Sequence, residues 1–381
     1  MNALMLGLLA LATLVVLLWL WRARAGDRPA PRPAPRPAAR PEAAGASAAL
    51  AAAPVTPAPA APPRPLPPAL AAFRVIGVDE WSGERRSRYI TAFGEVPRPP
   101  RLLQQLLSPD FVHSASTAQL VDLINAEPLF AAKLLSAVNS PLYGLQRRVT
   151  AVDQAVMILG LETVRSVCLQ YMMIASFKAD TPQRQALLDT TWAASAMASE
   201  ITQRLAQALQ LDDRGATVSA VVLSFLGRLA TVALTPAGVL GRIPARDLLA
   251  RKGAEQQLLG LGATEIGRLL MIDWGLPDAV IDDACDIDQV LVCPRAQMDP
   301  RRASRLALAY LGARLGERLA HQELPDLAAF DLLSDDSAEL FHLQSHLDHP
   351  TLARLPERLR DSSLHAAIAR MRGDALALSP A

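Results

Sequence analysis

Beyond Phe73, apolar residues recur three and four positions apart, and runs that alternate apolar with polar residues are almost absent. This period is that of an amphipathic α-helix, whereas a half-buried strand requires alternation. The pattern therefore predicts an all-α, multi-helical domain. A chain of 381 residues is long enough for such a domain to bury a core without disulfides.

Capping and breaking residues set the predicted ends of the helices. Ser116 and Gln119 have the spacing of a capping box, and Pro128 suits the first position of the next helix. That helix is predicted to end at Asn139, and another to end at Gly160. Later helices are predicted at 162–177, 184–209, 214–233, 245–253, 262–274 and 277–286.

Residues 299–381 continue the helical pattern as a C-terminal extension, which either covers the end of the domain or docks into a partner's groove. The inward face of its first helix is predicted to carry Leu306, Tyr310, Leu311 and Leu315. The outward face is predicted to carry Arg301, Arg305, Arg314 and Arg318.

The first 25 residues predict a transmembrane anchor with a basic flank. Residues 3–21 are uncharged and nearly all apolar, a run close to the ~20 residues that cross a bilayer as a helix. Trp19 and Trp21 stand where an aromatic belt would lie, and arginines follow from Arg22, which favours a cytoplasmic flank. The sequence therefore predicts a single-pass protein of the cell inner membrane, with its C-terminal domain in the cytoplasm.

A cleaved signal peptide is the competing interpretation of this segment. Ala23 and Ala25 resemble the small residues of a cleavage site. However, no Lys or Arg precedes the apolar run, and the run is longer than a normal signal core. The anchor is therefore the favoured interpretation.

Residues 26–72 predict a disordered linker rich in proline and alanine. Fourteen of the thirty prolines lie between Pro29 and Pro68. Proline fixes φ and lacks an amide donor, so this stretch cannot pack a core and is predicted to be an extended spacer. A proline-motif ligand for a partner protein is the alternative.

The net charge of +1 hides an asymmetry along the chain. Up to Leu70, seven arginines face two carboxylates, a net charge of +5, which leaves −4 for the remainder. Nucleic-acid binding requires a basic surface that neutralises phosphates. The acidic remainder therefore argues against nucleic acid as a partner.

A dense set of motif residues lies between Val96 and Gly160, and further motif residues follow as far as Pro277. The set includes Val96-Pro97, Glu127-Pro128-Leu129, Val138-Asn139-Ser140, Leu142-Tyr143-Gly144, Gly227-Arg228, Gly267 and Trp274-Gly275-Leu276-Pro277. The stretch 73–298 that contains them resembles an HDOD domain. The resemblance implies an all-helical fold related to the HD phosphohydrolases, with a non-catalytic regulatory role in bacterial signalling. The positions for which we predict a structural or partner-binding role are Pro128, Asn139, Ser140, Tyr143, Gly144, Trp274 and Pro277.

The residues that HD-type hydrolysis requires are missing. That chemistry depends on histidines and aspartates that hold metal ions, yet no histidine occurs between His113 and His321. The position similar to the family's His-Asp doublet reads Ser224-Phe225. Other similar positions read Ala194-Ser195, Ala263-Thr264 and Cys285 with Asp286 and Asp288. We therefore predict that the protein is not an enzyme and has no catalytic residue, metal or cofactor.

Two clusters leave a metal site open as an alternative. Asp282, Asp283, Asp286 and Asp288 could hold Mg²⁺, although an acidic, solvated helix end is the commoner meaning of such a run. His342, His346 and His349 could form a metal site with Asp348 if the first two shared a helix face, and solvated tail histidines are the favoured interpretation. The three cysteines, Cys168, Cys285 and Cys293, are interpreted as reduced core thiols.

The predicted function is that of a non-catalytic, membrane-tethered signalling or regulatory adaptor that acts through protein–protein interaction. Its predicted partners are the membrane, through residues 3–21, and an unidentified cytoplasmic signalling protein. The alternative is a nucleotide-binding sensor module that keeps the HD-like pocket without hydrolysis. A residual hydrolase that uses carboxylates alone is a third hypothesis.

Overall fold

The computed structural model describes residues 65–378, except for positions 78–79, 81–82, 95, 99–100, 109–110, 112–113, 115, 140–144 and 146. The predicted anchor and most of the predicted linker lie outside the described residues. Every regular element in the described part is helical, so the all-α prediction is confirmed.

The α-helices follow one another with short connections, and 3₁₀ turns lie mainly in the C-terminal part. In chain order the α-helices are α1 Pro68–Ala71, α2 Gly83–Phe93, α3 Arg101–Leu107, α4 Thr117–Asn125, α5 Pro128–Val138, α6 Val152–Leu159, α7 Leu161–Ser176, α8 Pro182–Ala208, α9 Arg214–Ser224, α10 Leu226–Leu234, α11 Ala237–Leu240, α12 Leu248–Leu259, α13 Ala263–Asp273, α14 Asp278–Cys285, α15 Gln289–Val292, α16 Pro300–Ala320, α17 Leu355–Leu359 and α18 Ser362–Leu378.

The helix ends that rest on local signals are confirmed. The Ser116 hydroxyl accepts from the Gln119 amide at 3.3 Å, and the Gln119 side chain accepts from the Ser116 amide at 2.7 Å, which completes the capping box of α4. Helix α5 begins at Pro128. Gly160 adopts a φ of 78° where α6 ends, a conformation that a residue without a Cβ adopts readily.

The predicted helix 214–233 corresponds to the helical stretch Arg214–Leu234, in which a turn at Phe225 separates α9 from α10 while the backbone stays in the right-handed helical region. Two glycines let α10 approach α13 closely. A Cβ on Gly227 would lie 1.8 Å from the Ala263 carbonyl oxygen, and one on Gly267 would lie 2.8 Å from the Gly227 nitrogen. The contact between α10 and α13 therefore requires a residue without a side chain at both positions.

The predicted helix 245–253 is also displaced. Helix α12 spans Leu248–Leu259, where the Asp247 carboxylate caps its start by accepting from the Ala250 amide at 3.1 Å. Gly260, with a φ of 89°, ends it. The capping residue Asp247 and the terminating Gly260 are both visible in the sequence, but the prediction relied on the spacing of apolar residues alone.

Helix α16 forms the centre of the domain together with α8. Gly312 and Gly316 allow the two helices to touch, since a Cβ on Gly316 would lie 2.4 Å from the Ala194 carbonyl oxygen. The predicted inward side chains Leu306, Tyr310, Leu311 and Leu315 are buried. Residues of the predicted C-terminal extension therefore pack into the same core as α8.

The predicted outward arginines of α16 are correct only for Arg301. Arg314 is 7% exposed, and Arg305 and Arg318 are each largely covered. Charge predicts exposure only when no carboxylate is available inside the fold, and these three arginines have such partners.

The folded part begins earlier than the prediction of a linker over 26–72 implies. Helix α1 spans Pro68–Ala71, and Leu70 is 4% exposed because it packs in the core. The compact unit that holds the helices begins at Arg64. The last residues of the predicted linker are therefore part of the domain.

One helical stretch among the described residues, Arg214–Leu234, is long and apolar enough to cross a membrane. Its most apolar window is 83% buried inside the protein, as in any central core helix. Helices α6 and α7, which meet at an angle of 116°, are long and apolar enough to cross a membrane only if the two are counted as one span.

The close approach of α10 and α13 predicts a large cost for a single methyl group. In Gly227→Ala the new Cβ would meet backbone atoms that cannot move aside, so we expect the free energy of unfolding to fall by about 3 kcal/mol. Urea denaturation measures it. The matched control is Gly253→Ala in α12, where a Cβ meets nothing within 4 Å and alanine should stabilise the helix by up to ~1 kcal/mol. Equal effects of the two substitutions would contradict the packing described.

Candidate functional site

The position similar to the HD doublet lies at the C-terminal end of α9. Ser224 is the last residue of α9, and Phe225 connects it to α10. Both residues line a small cavity of about 50 Å³, together with Ala263 and Thr264 of α13 and with Asp288. The structure therefore brings together three of the segments that the resemblance singles out. The fourth, Ala194-Ser195, is buried on α8 and does not line this cavity.

Charged side chains line or border this cavity. They come from α10, α12 and α16, from the turn Asp286–Asp288 after α14, and from the turn Ala338–Leu340. We call this set the buried ion-pair cluster, and it consists of Arg228, Arg251, Lys252, Arg314, Glu255, Asp288, Glu317 and Glu339. Four positive groups face four carboxylates, so the cluster is electrically balanced.

Glu317 is the central carboxylate of the cluster. Its Oε2 lies 2.6 Å from Nη2 of Arg251, which α12 supplies, and it also pairs with Arg314 one turn earlier on α16. Nε of Arg314 lies 3.3 Å from a carboxylate oxygen of Glu339. The Tyr310 hydroxyl donates to the Glu339 carbonyl oxygen at 2.7 Å, so the same segment is held twice.

A second set of contacts joins α12 to α10 and α13. Nη1 of Arg228 lies 3.2 Å from Oε1 of Glu255, whose other oxygen accepts from the Ala263 amide at 2.9 Å. Nζ of Lys252 lies 2.6 Å from Oδ2 of Asp288, and the Thr264 hydroxyl donates to the same oxygen. The hydroxyl and carboxylate that resemble ligand positions are therefore already paired within the chain.

Electrostatics keeps the cluster charged although it is buried. Burial alone would raise the pKa of Glu317, but the Arg251 and Arg314 guanidinium groups hold the pKa well below its usual range. Burial would lower the pKa of Arg314, and the Glu317 and Glu339 carboxylates raise it instead. For His321 burial prevails and lowers the pKa to about 4, so this imidazole is neutral at pH 7.

A catalytic metal, as in the HD hydrolases, does not fit the residues present. A divalent cation needs imidazole or free carboxylate ligands, and here it would meet Arg228, Arg251, Lys252 and Arg314. Each carboxylate of the cluster is already paired with one of these cations. Within the described part of the chain, no group of three or more His, Cys, Asp or Glu residues is placed to hold a metal ion.

The cavity is also too small for a nucleotide. About 50 Å³ holds a few water molecules at ~10–15 Å³ each, whereas ligand pockets in proteins measure roughly 300–1,000 Å³. The side chains of the ion-pair cluster thus leave no room for a nucleotide in this cavity.

The four aspartates after α13 are held by cations rather than by solvent alone. Their partners are Arg268 for Asp282 at 2.8 Å, Arg302 and Arg305 for Asp283 at 2.9 and 2.8 Å, Arg302 for Asp286 at 2.8 Å, and Lys252 for Asp288 at 2.6 Å. Only Asp282 is exposed, so the interpretation as a solvated helix end is wrong for the other three. The partners Arg302 and Arg305 lie on α16 and Lys252 lies on α12, too far along the chain for a local pattern to reveal them.

The interpretation of the C-terminal histidines as solvated is wrong for His346. This side chain is fully buried, while His342 is half-buried with its ring 5.1 Å from that of Phe341. The segment His342–His346 is a 3₁₀ helix with about three residues per turn, so residues four apart do not share a face. Burial lowers the pKa of both imidazoles.

Cys168 and Cys285 are buried free thiols, as the sequence predicts, and Cys293 is half-buried. Burial raises the pKa of Cys168 and of Cys285 to about 12. Both thiols are therefore protonated at neutral pH, and a thiol in this state is a poor nucleophile.

Two of the predicted motif positions have clear structural contacts. The Asn139 amide donates to the carbonyl oxygens of Leu135 at 2.6 Å and Val149 at 2.8 Å, and its oxygen accepts from the Val149 amide at 2.8 Å. It therefore fastens the segment after α5 to the helix. Trp274 is buried at the end of α13, and its carbonyl oxygen accepts from Gln104 of α3 at 3.0 Å.

The remaining motif positions differ in what the structure describes. Pro128 is the first residue of α5, and Pro277 directly precedes α14. Ser140, Tyr143 and Gly144 lie outside the described residues. A partner-binding role for any of the motif positions stays a prediction.

The buried ion-pair cluster was not predicted from the sequence. Its members are 27 residues apart for Arg228 and Glu255 and 66 apart for Arg251 and Glu317. The available signal was the pair Arg314 and Glu317, which stand one turn apart between the apolar residues Leu311, Leu315 and Leu319. Charges in such a helix must be paired, since an isolated buried charge is very costly.

The helices that surround Ser224-Phe225 define the class of the protein as a multi-helical, all-α domain. The family model of the HDOD domain matches residues 96–289, half of the chain. The chain belongs to the HDOD family.

Two solved structures share this fold. An HDOD domain protein of unknown function from Geobacter sulfurreducens is 16% identical, with a TM-score of 0.52 over 77% of this chain and 94% of that one. A Shewanella amazonensis protein that carries a phosphohydrolase name is 20% identical, with a TM-score of 0.52 over 76% and 97%. At these identities the likeness shows the fold alone. Comparison with curated proteins gave no match.

The buried ion-pair cluster predicts a strong response to the loss of one charge. In Glu317→Gln the Arg251 and Arg314 guanidinium groups lose their shared carboxylate, and we expect the free energy of unfolding to fall by about 3–5 kcal/mol. Urea denaturation of the full chain measures it. The control is Glu357→Gln, whose partner Arg354 is exposed, and it should leave the denaturation midpoint unchanged. A midpoint for Glu317→Gln that matches the parent would refute the central place of this carboxylate.

Proposed function

We propose that the protein is a non-catalytic, membrane-tethered signalling adaptor that acts through protein–protein interaction. The observation that carries the proposal is the buried ion-pair cluster at Ser224-Phe225. Paired charges occupy the position at which HD hydrolases hold metal and substrate, and four cations there oppose metal binding. A domain without chemistry of its own acts through what it binds and where it is held.

In this proposal, residues 3–21 anchor the domain at the membrane. Their length, the tryptophans at the end of the run and the arginines that follow support a single-pass anchor with the domain on the cytoplasmic side. The proline-rich segment after it supports a spacer with a reach of several tens of ångströms. Tethering raises the effective concentration of the domain near membrane-bound partners.

The alternative, a nucleotide sensor in the inherited pocket, has less support. The cavity at Ser224-Phe225 is several times smaller than a nucleotide requires, and opening it would break buried ion pairs. The adaptor is therefore the better-supported function of the two.

Membrane fractionation tests the tether. The full chain should sediment with membranes and resist both high salt and alkaline carbonate, because an apolar anchor is insensitive to either. A version without residues 1–63 should be released, and it keeps Leu70, which the core requires. Replacing Arg22, Arg24 and Arg28 by glutamine serves as the control for purely electrostatic attachment and should leave sedimentation unchanged. Recovery of the full chain in the carbonate-soluble fraction would disprove the anchor.

Cross-linking in membranes tests the adaptor role. Protein partners captured by the full chain should be captured less by the version without residues 1–63 at equal abundance, because the tether supplies the local concentration. Equal capture by both versions would show that tethering has no part in partner binding.

A further inference from the structure

A second cavity lies at the other end of α9, about 15 Å from Ser224 at 1.5 Å per helical residue. It measures about 470 Å³, within the range of small-molecule sites. Its walls come from the start of α7, the loop 210–213 and the first turn of α9. Unlike the cavity at the ion-pair cluster, it is open to solvent and contains an unpaired cation.

That cation is Arg165, which projects from α7 into the cavity wall. It is 3% exposed, and its Nε has no hydrogen-bond partner. Among the described residues, Arg165 forms no ion pair. Glu162 is the carboxylate that favours its charge, but the two do not come within ion-pair distance. A buried guanidinium without a partner is costly, so this geometry calls for an anion.

The start of α9 presents a second positive group to the same space. The first amides of a helix have no partner within the helix, and the side chain of the preceding residue, Asp213, accepts no hydrogen bond from them. A Cβ on Gly215 would lie 2.3 Å from Nη2 of Arg165, so the guanidinium lies directly against this first turn. Two positive groups in contact are stabilised by an anion that binds both.

Carboxylates on the rim restrict the kind of anion. Asp212 and Asp213 are exposed, and Asp213 faces Arg305 at 4.0 Å. Together with Glu162 they disfavour a ligand that is negatively charged throughout, but they accept hydrogen bonds from hydroxyl groups. Arginine and a helix start together suit a phosphate, which the guanidinium binds through two parallel hydrogen bonds.

We propose that this cavity binds a small phosphate monoester with hydroxyl groups, whose phosphate lies in the cavity and contacts both the Arg165 guanidinium and the first amides of α9. The hydroxyl groups face the rim formed by Glu162, Asp212 and Asp213. This site is separate from the HD-like position and does not depend on the adaptor role.

Thermal unfolding of the full chain tests the proposal with inorganic phosphate and ribose 5-phosphate as probes, at constant ionic strength against chloride. Ribose 5-phosphate at ten times its Kd should raise the Tm by about 2 °C, and inorganic phosphate at the same concentration should raise it less. The shift should disappear in Arg165→Met and in Gly215→Ala, which displaces the guanidinium without changing the charge. The control Arg301→Gln, at an exposed arginine of α16, should keep it.

The Tm in phosphate-free buffer separates a ligand-binding arginine from a structural one. Arg165→Met should unfold at the parent temperature or above, because it removes a buried charge that has no partner. A Tm several degrees below the parent would show that Arg165 is paired within the fold and would overturn the proposal. Absence of a shift with both probes, or a shift that persists in Arg165→Met, would overturn it as well.

Discussion

Pairing of buried charges is the constraint on which the centre of this domain depends. Arg228, Arg251 and Arg314 lie in an interior where an isolated charge is very costly, so each has a carboxylate within ion-pair distance. The paired groups come from α10, α12 and α16, and contacts with Arg314 and Tyr310 hold the segment at Glu339 against α16. Loss of one charge therefore leaves its partners buried without a counter-charge. The same ion pairs hold the helices around Ser224-Phe225 in fixed positions relative to one another.

The same cluster satisfies the polar backbone and side-chain groups that converge beside Ser224 and Phe225, where the resemblance to HD hydrolases would place a metal centre. Glu255 accepts from the start of α13, and Thr264 donates to Asp288, so these groups are satisfied internally. Paired charges thus fill the centre of the fold, and this arrangement is the basis of the proposal that the domain binds rather than turns over a substrate.

Features of the fold that depend on neighbouring residues could be predicted from the sequence. The capping box at Ser116, the start of α5 at Pro128 and the end of α6 at Gly160 each rest on a few adjacent residues. The contact between α10 and α13 depends instead on Gly227 and Gly267, forty residues apart, and the ion pair between Arg251 and Glu317 spans 66 residues. Such contacts form only when the whole fold brings the two segments together. For the same reason Arg305, Arg314 and Arg318, which the helical spacing predicts to face outward, pair with carboxylates inside the domain.

Turnover by the purified full chain is the most direct test of the central claim, that the HD-like position has lost its chemistry to internal ion pairs. The assay supplies phosphate monoesters and cyclic dinucleotides with Mn²⁺ or Mg²⁺. We expect no product above that of a preparation lacking the protein, because four cations oppose metal binding and the cavity excludes the substrate. Metal-dependent product formation that disappears in Asp288→Asn or Ser224→Ala, while both variants remain folded, would contradict the account.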